Sequence, residues 1–303
     1  MAFQIYNVGG ASEVLLQDPR VVADIGIAYL TDLHLSPGRA AAGSRYGSAA
    51  DWWDRAFGRP AGMLQRLLGE IADAGVELVV FGGDNLDFYD ADLARELEEM
   101  CAARHLRSCF VFGNHDWESA QSRFETHDVD APEREQNRAA LASIWHMTPP
   151  VQAVDMGGIR ILLLDMRYQH DVDLHAVVEA HALSQLRELL ASGQPTLVFH
   201  HYPFALPSLQ HRLRAVWRGV LACARIETNE TAFELISTCP DVLATFSGHA
   251  HINSEDPIAA EDGPWQFATG AGVDGIWRYI RVSSGEVPKS LRTAGTPAVE
   301  PQA

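Results

Sequence analysis

Five short segments of the chain carry residue types that bind cations. They are Asp32-Leu33-His34, Gly82-Gly83-Asp84-Asn85-Leu86-Asp87, Gly113-Asn114-His115-Asp116, His200-His201-Tyr202-Pro203 and Gly248-His249-Ala250-His251. Imidazole nitrogens, carboxylate oxygens and an amide oxygen are all ligands for divalent ions. Two such ions about 3.5–4 Å apart lower the pKa of a shared water and polarise an electrophile, which is the chemistry of a metal-dependent hydrolase.

The spacing inside two of these motifs brings ligand types to the same side. Asp32 and His34 are two residues apart, and so are His249 and His251. In an extended strand alternate side chains point the same way, so each pair could hold one ion. Taken singly, Asp-x-His is commonly a surface feature, and Asp84 after two glycines could be an ordinary turn residue. Five such motifs in a fixed order favour one shared site.

Each motif directly follows an apolar run that is typical of a buried strand. These runs are 25–30, 76–81, 108–112, 196–200 and 241–248. Because ligands bind at the carboxyl ends of strands in α/β sheets, we expect the motifs to meet at one sheet edge.

The remaining elements are predicted from the same kinds of pattern. Apolar residues at helical spacing predict helices over 61–74, 90–104, 179–191 and 229–238. Further strands are predicted over 3–8, 13–23, 151–155, 159–165, 251–258, 264–269 and 274–282. Strands that alternate with helices predict an α/β fold, with residues 1–283 as a single domain. Residues 284–303 are rich in small and polar residues, which predicts a disordered tail.

The composition limits the classes of partner and the location. The net charge of −17 disfavours duplex nucleic acid, because a polyanion would be repelled. No apolar run reaches the roughly 20 residues that span a membrane. The N-terminus lacks the basic and apolar regions of a secretory signal. Four scattered cysteines, Cys101, Cys109, Cys223 and Cys239, suit a reducing compartment better than a disulfide framework. We therefore predict a cytoplasmic protein.

The first 24 residues are expected to add edge strands or an oligomer contact.

Together the five motifs resemble the signature of the calcineurin-like metallophosphoesterase superfamily, which includes purple acid phosphatases and class III cyclic-nucleotide phosphodiesterases. The motifs span residues 32 to 251. The resemblance implies a four-layer α-β-β-α sandwich of two mixed sheets flanked by helices. It also implies two divalent or mixed-valence metal ions, commonly Mn, Fe or Zn.

The resemblance also implies a ligand set. Asp32, His34 and His251 would hold the first metal, Asn114, His201 and His249 the second, and Asp84 would bridge the two. His201 is preferred over His200 because the family's ligand lies two residues before the proline. Adjacent side chains on a strand diverge, so His200 is expected to pack or support the site.

Proton transfer and substrate contacts are assigned from residue type and position. We expect His115 to protonate the leaving oxygen, with Asp116 as an orienting partner; the alternative for His115 is a structural hydrogen bond. Arg45, Arg167 and His170 are candidate substrate contacts. Arg45 lies in segment 36–60, which is either a substrate-binding rim or a surface loop that leads into a helix.

These features predict a hydrolase of small phosphoesters that uses a metal-bridging hydroxide. Phosphodiesters are favoured over phosphomonoesters. A monoester carries about one more negative charge than a diester and usually needs additional Arg or His contacts, and Arg45, Arg167 and His170 are the candidates for them. One alternative is a metal-binding regulatory or interaction protein that keeps the fold without turnover. Another is a different metallohydrolase reaction on the same site.

Overall fold

The computed structural model describes residues 2–8, 11–36, 62–118, 131–169, 175–216, 230–258 and 263–285. The strands in chain order are β1 Ala2–Val8, β2 Ala11–Gln17, β3 Ile25–Leu30, β4 Leu78–Phe81, β5 Ser108–Phe110, β6 Val151–Met156, β7 Ile159–Leu164, β8 Arg167–Gln169, β9 His175–Val177, β10 Thr196–Phe199, β11 Val242–Ser247, β12 Ser254–Pro257, β13 Trp265–Ala268 and β14 Trp277–Ser283. The helices are α1 Met63–Asp73, α2 Ala91–Ala102, α3 Ala131–Ile144, α4 Ala180–Leu190, α5 Pro207–Val216 and α6 Glu230–Ser237, and a short 3-10 turn covers Gly272–Asp274.

The strands form two six-stranded mixed sheets and a separate β8–β9 hairpin. The first sheet has the order β1-β2-β14-β3-β4-β5, and the second has the order β12-β13-β11-β10-β7-β6. In the first sheet β3, β4 and β5 are parallel neighbours. In the second sheet β7, β10, β11 and β13 are parallel, while β6 and β12 pair antiparallel at the two edges.

Three apolar clusters hold four layers together. The central cluster lies between the sheets and includes Ile27 and Val80 of the first sheet with Phe199 and Phe246 of the second. A second cluster packs α1, α2 and α3 on the outer face of the first sheet. A third packs α4, α5 and α6 on the outer face of the second sheet. The expectation of a four-layer α-β-β-α sandwich is therefore confirmed.

Several local expectations differ from the structure. The strand predicted over 13–23 ends at Gln17, because Asp18-Pro19 begins a turn and proline has no N–H for the ladder. Helices α3 and α5 were not expected, because their many charged residues weaken the apolar periodicity. The N-terminal residues do supply strands, with β1 at the sheet edge. The oligomer contact stays a prediction.

The described residues also bear on the expectations of free cysteines and of no membrane-spanning helix. Cys101 and Cys109 are buried and Cys239 is partly buried, and all three are free thiols; Cys223 lies outside the described residues. Among the helices that the structure describes, none combines the length and apolar character needed to cross a bilayer. Residues 286–303 of the predicted tail also lie outside the described residues.

Candidate metal centre

The five motif loops meet because the parallel strands that precede them end at the same edge. Strands β3, β4 and β5 end just before Asp32, Asp84 and Asn114 in the first sheet. Strands β10 and β11 end just before His201 and His249 in the second sheet. The two sheets are packed face to face, so side chains from both converge on one site.

The backbone at this edge is left-handed rather than extended. Among the non-glycine residues with positive φ are Asp32 (55°), His34 (46°), Asp84 (50°), His249 (62°) and His251 (52°). Such conformations are uncommon for non-glycine residues and cluster at functional sites. The two-residue spacing of Asp32 and His34 therefore works through tight turns, and the expected alternation along an extended strand is wrong for this pair.

Backbone hydrogen bonds hold two of these turns together. The amides of Asp32 and His34 donate to the carbonyls of Gly83 and Asp84, each at 2.9 Å. The loop after β3 therefore lies directly against the loop after β4. Close packing also explains two glycines: a Cβ on Gly83 would lie 2.5 Å from His201 Nδ1, and one on Gly248 would lie 2.5 Å from Asp32 Oδ2.

A first group of ligand types consists of Asp32, His34 and His251. Their ligand atoms all lie within 4.8 Å of one another. His251 Nε2 is 3.2 Å from Asp32 Oδ1, and 3.1 Å from His34 Nε2. One carboxylate oxygen and two imidazole nitrogens at these separations could hold one divalent ion.

A second group consists of Asp84, His201 and His249, again with ligand atoms within 4.8 Å of one another. Asp84 Oδ2 is 3.3 Å from His201 Nε2 and 4.0 Å from His34 Nε2, so it faces both groups. Asn114 Oδ1 is buried without a hydrogen-bond partner. A buried amide oxygen is costly unless something satisfies it, and a cation would do so.

The two adjacent histidines have different surroundings. The ring of His200 packs against Phe204, its Nδ1 donates to the Tyr202 carbonyl at 2.7 Å, and burial lowers its pKa to about 4. His201 instead faces Asp84, and its Nδ1 donates to the Gly82 carbonyl at 2.9 Å. This bond leaves His201 Nε2 as the ligand atom.

The electrostatics of the site favour a bound positive charge. Burial alone would lower the pKa of His201, but the carboxylates of Asp84 and Asp32 raise it to about 9. Burial and the neighbouring His201 lower the pKa of His249 to about 3. Burial would raise the pKa of Asp84, yet the surrounding imidazoles hold it well below its usual range. Buried carboxylates that draw a proton onto His201 would attract a cation for the same reason.

His115 lies close to a member of each group, since its ligand atom and those of His34 and Asp84 lie within 4.8 Å of one another. Its ring meets the ring of His34 edge-on, with 4.9 Å between centroids, and its amide donates to Asp84 Oδ1 at 2.8 Å. Its Nδ1 donates to the Asp87 carbonyl at 3.2 Å, which leaves Nε2 to exchange a proton. Burial would lower the pKa of His115, but the charges of Asp84, Glu118 and Asp87 raise it overall.

The expected role of Asp116 as the orienting partner of His115 is wrong. Its Oδ2 accepts hydrogen bonds from the amides of Gly113 and Asp84, at 2.8 Å and 3.0 Å, and its Oδ1 accepts from Leu86 at 2.9 Å. Both oxygens are therefore used by backbone groups. Asp116 ties the loops after β4 and β5 together, and burial with the nearby Asp84 charge raises its pKa to about 7.

Two acidic residues at the site were missed or undervalued from the sequence. Asp87 Oδ1 lies 3.0 Å from His34 Nδ1, so it orients the ring whose Nε2 faces the first group. The sequence signal for Asp87 was its place in the second motif, three residues after Asp84. Asp274 lies on the 3-10 turn with its side chain exposed on one side; partial desolvation by the neighbouring protein raises its pKa, while the charges of His251 and His34 oppose that rise. No motif marked Asp274.

The expected substrate contacts fall mainly outside the described residues. Arg45 and His170 both lie there. Arg167 is in β8, but its side chain is not among those described. These three contacts stay predictions.

A family model described as calcineurin-like phosphoesterase matches residues 25–253, and the chain belongs to this family. The structure is similar to that of a dimetal phosphatase from Danio rerio, with a TM-score of 0.51, 14% identity, and coverage of 82% of this chain and 88% of that one. It also aligns with the purple acid phosphatase PPD1 from yellow lupin seeds, with a TM-score of 0.46, 12% identity, and coverage of 88% and 46%. No curated protein sequence matches the chain. The resemblance to the superfamily is thus confirmed.

Proposed function

We propose that this protein is a dinuclear metal-dependent hydrolase of small phosphoesters, with phosphodiesters preferred over monoesters. The observation that carries the proposal is the convergence of the two ligand groups on Asp84, which lies within 4.0 Å of a histidine from each. Asp32, His34 and His251 would hold one ion, and Asn114, His201 and His249 the other, with Asp84 shared. The donor set mixes nitrogen and oxygen, which suits Mn, Fe or Zn.

Two ions, when bound here, would stabilise the negative charge of the phosphate oxygens and would also lower the pKa of a bound water, so that hydroxide is available near neutral pH. The chain's own residues would complete the reaction. His115, whose raised pKa keeps it protonated to higher pH, would deliver a proton from Nε2 to the leaving oxygen. The Asp87 carbonyl fixes the Nδ1 side of that ring.

The preference for diesters is supported by the charge of Asp274. Its carboxylate is exposed on the 3-10 turn whose first amides donate to Thr31 and Asp32. A monoester dianion that approached from this side would be repelled more strongly than a diester monoanion. The net charge of −17 acts in the same direction and also opposes long nucleic acid. Small diesters are therefore the proposed substrates.

Hydrolysis of two nitrophenyl esters by manganese-loaded protein tests the proposal. We expect hydrolysis of bis-p-nitrophenyl phosphate to exceed that of p-nitrophenyl phosphate, and chelation to abolish both. His115→Ala should lower kcat by roughly 10²–10⁴-fold with its metal content unchanged. His105→Ala, which changes an exposed histidine in the turn after α2, is the matched control and should retain full activity.

Two results would contradict the proposal. Two bound metals without activity on either ester would favour the non-catalytic alternative. Loss of metal from the His115→Ala variant would make His115 a structural residue and not a proton donor.

A further inference from the structure

One arginine of the first sheet reaches into the second sheet beside the candidate metal centre. Arg278 lies in β14, and its side chain is fully buried. Its Nε donates to Thr269 Oγ1 at 3.1 Å and its Nη2 to the Ala268 carbonyl at 3.1 Å. Both acceptors lie at the end of β13. Its Nη1 is 3.3 Å from Glu255 Oε1 in β12.

This arginine has more than a packing role. A guanidinium removed from water is unfavourable unless its donors are paired, and here the partners belong to the opposite sheet. The charge lies over the ring of Phe267, 5.4 Å from its centroid. Arg278 therefore fixes the position of one sheet relative to the other at the edge where the ligands converge.

The loop that carries His251 is attached to this arrangement. Asn253 follows His251 by two residues, and its Oδ1 accepts a hydrogen bond from the Gly270 amide at 2.9 Å. The same oxygen lies 3.5 Å from Arg278 Nη2. Residues 268–273, which we name the inter-sheet segment, thus contact both Arg278 and the His251 loop.

The inter-sheet segment also holds the loop that carries Asp32. The Gly272 amide donates to the Thr31 carbonyl at 2.7 Å, and the Val273 amide donates to the Asp32 carbonyl at 3.1 Å. One short segment therefore contacts the loops of both Asp32 and His251, whose ligand atoms are 3.2 Å apart, in addition to the direct hydrogen bond from the His249 amide to the Asp32 carboxylate.

We propose that Arg278 is a positioning residue for the first metal position, acting through the inter-sheet segment on Asp32 and His251. This inference rests on the proposed two-metal function. The second group shares one contact with the first, because the His249 amide donates to the Asp32 carboxylate, but it also has contacts of its own: Asp116 fixes the amide of Asp84, and the Gly82 carbonyl fixes His201. Disturbing Arg278 should therefore weaken the first metal position more than the second.

The experiment is a calorimetric titration of Mn²⁺ into metal-free, folded protein at neutral pH. Wild type should bind two equivalents. Arg278→Lys and Asn253→Ala should each weaken one of the two sites by roughly 10–100-fold and affect the other less. The electron paramagnetic resonance signal of a coupled manganese pair should fall in parallel. Arg281→Lys is the matched control, because Arg281 lies on the same strand but pairs with exposed Asp24.

The outcomes separate the two proposals. A wild type that fails to bind two equivalents would overturn the proposed function, and this inference with it. A wild type with two sites, together with variants whose two affinities are unchanged or fall equally, would overturn only the role of Arg278. If Arg278→Lys does not fold, the Asn253→Ala result decides.

Discussion

Asp116→Ala tests whether one buried carboxylate holds the two central loops together. The side chain accepts hydrogen bonds from the amides of Gly113, Asp84 and Leu86. Each buried amide left without an acceptor costs about 1–3 kcal/mol. The three bonds share one carboxylate, so their costs are not additive, and we expect a total loss of about 4 kcal/mol. This is a large fraction of the roughly 5–15 kcal/mol that stabilises a typical protein.

The assay is urea unfolding in the presence of a chelator, so that bound metal does not add to stability. It is run at about pH 4, near the pKa of an unfolded aspartate, because the raised folded-state pKa of Asp116 means that its ionisation at higher pH costs stability and would offset the loss of the three bonds. The midpoint should fall while the slope with urea stays constant. The control is Asp155→Ala, because Asp155 is exposed and pairs with the partly buried Arg160; it should change stability by less than about 1 kcal/mol.

A loss below about 1 kcal/mol for Asp116→Ala would refute this reasoning. Such a result would mean that water or a local rearrangement satisfies the three amides. The metal affinity of the same variant gives a second measure, because the Asp84 amide is one of the three donors.

Three further predictions concern the charges around the site. Asp87→Asn should weaken Mn²⁺ binding by roughly 10–100-fold in calorimetry, since the carboxylate orients His34; unchanged affinity would refute that role. The metal-free protein should lose about 3 kcal/mol as the pH rises from about 6.5 to 9, because the pKa of His201 is raised in the folded state and its proton is then lost. A His201→Gln variant should lose most of this dependence and keep only the contribution of His115, whose pKa is also raised; persistence of the full slope would contradict the assignment. Asp274→Asn should raise kcat/KM for p-nitrophenyl phosphate relative to bis-p-nitrophenyl phosphate, and an unchanged ratio would remove Asp274 as the source of diester preference.

The four-layer architecture could be predicted from the sequence because the apolar runs that indicate buried strands and the motifs that indicate metal ligands occur together. Apolar runs such as Ile25–Leu30 end directly before a motif, and this order alone places the motifs at one sheet edge. The side chains of Asp32 and His34 were expected to align along a strand. They align through left-handed turns, which depend on contacts with a loop some 50 residues away and leave no local trace.

Contacts between distant segments explain the other differences. Asp116 follows His115 directly, which suggested a partnership, but backbone amides of the neighbouring loop compete for its oxygens. Asp274 and Arg278 carry no motif; hydrogen bonds from Gly272 and Val273 to the Asp32 loop place the first beside the site, and the pairing of β14 with β3 places the second. Helix α3 has charged residues at many positions, so its pattern alone was too weak to reveal it.

The position of β14 has a consequence for how the chain acquires its shape. This strand, residues 277–283, lies between β2 and β3, parallel to the first and antiparallel to the second. In the part of the chain that the structure describes, the N-terminal hairpin and the β3-β4-β5 unit are therefore joined in one sheet only through β14, which is synthesised long after both. Closing this sheet depends on contacts of very long sequence separation, which are slow to form and leave strand edges open to wrong pairing. In a chain that ends before Trp277, the β1–β2 hairpin and the β3-β4-β5 unit would lack the strand that joins them.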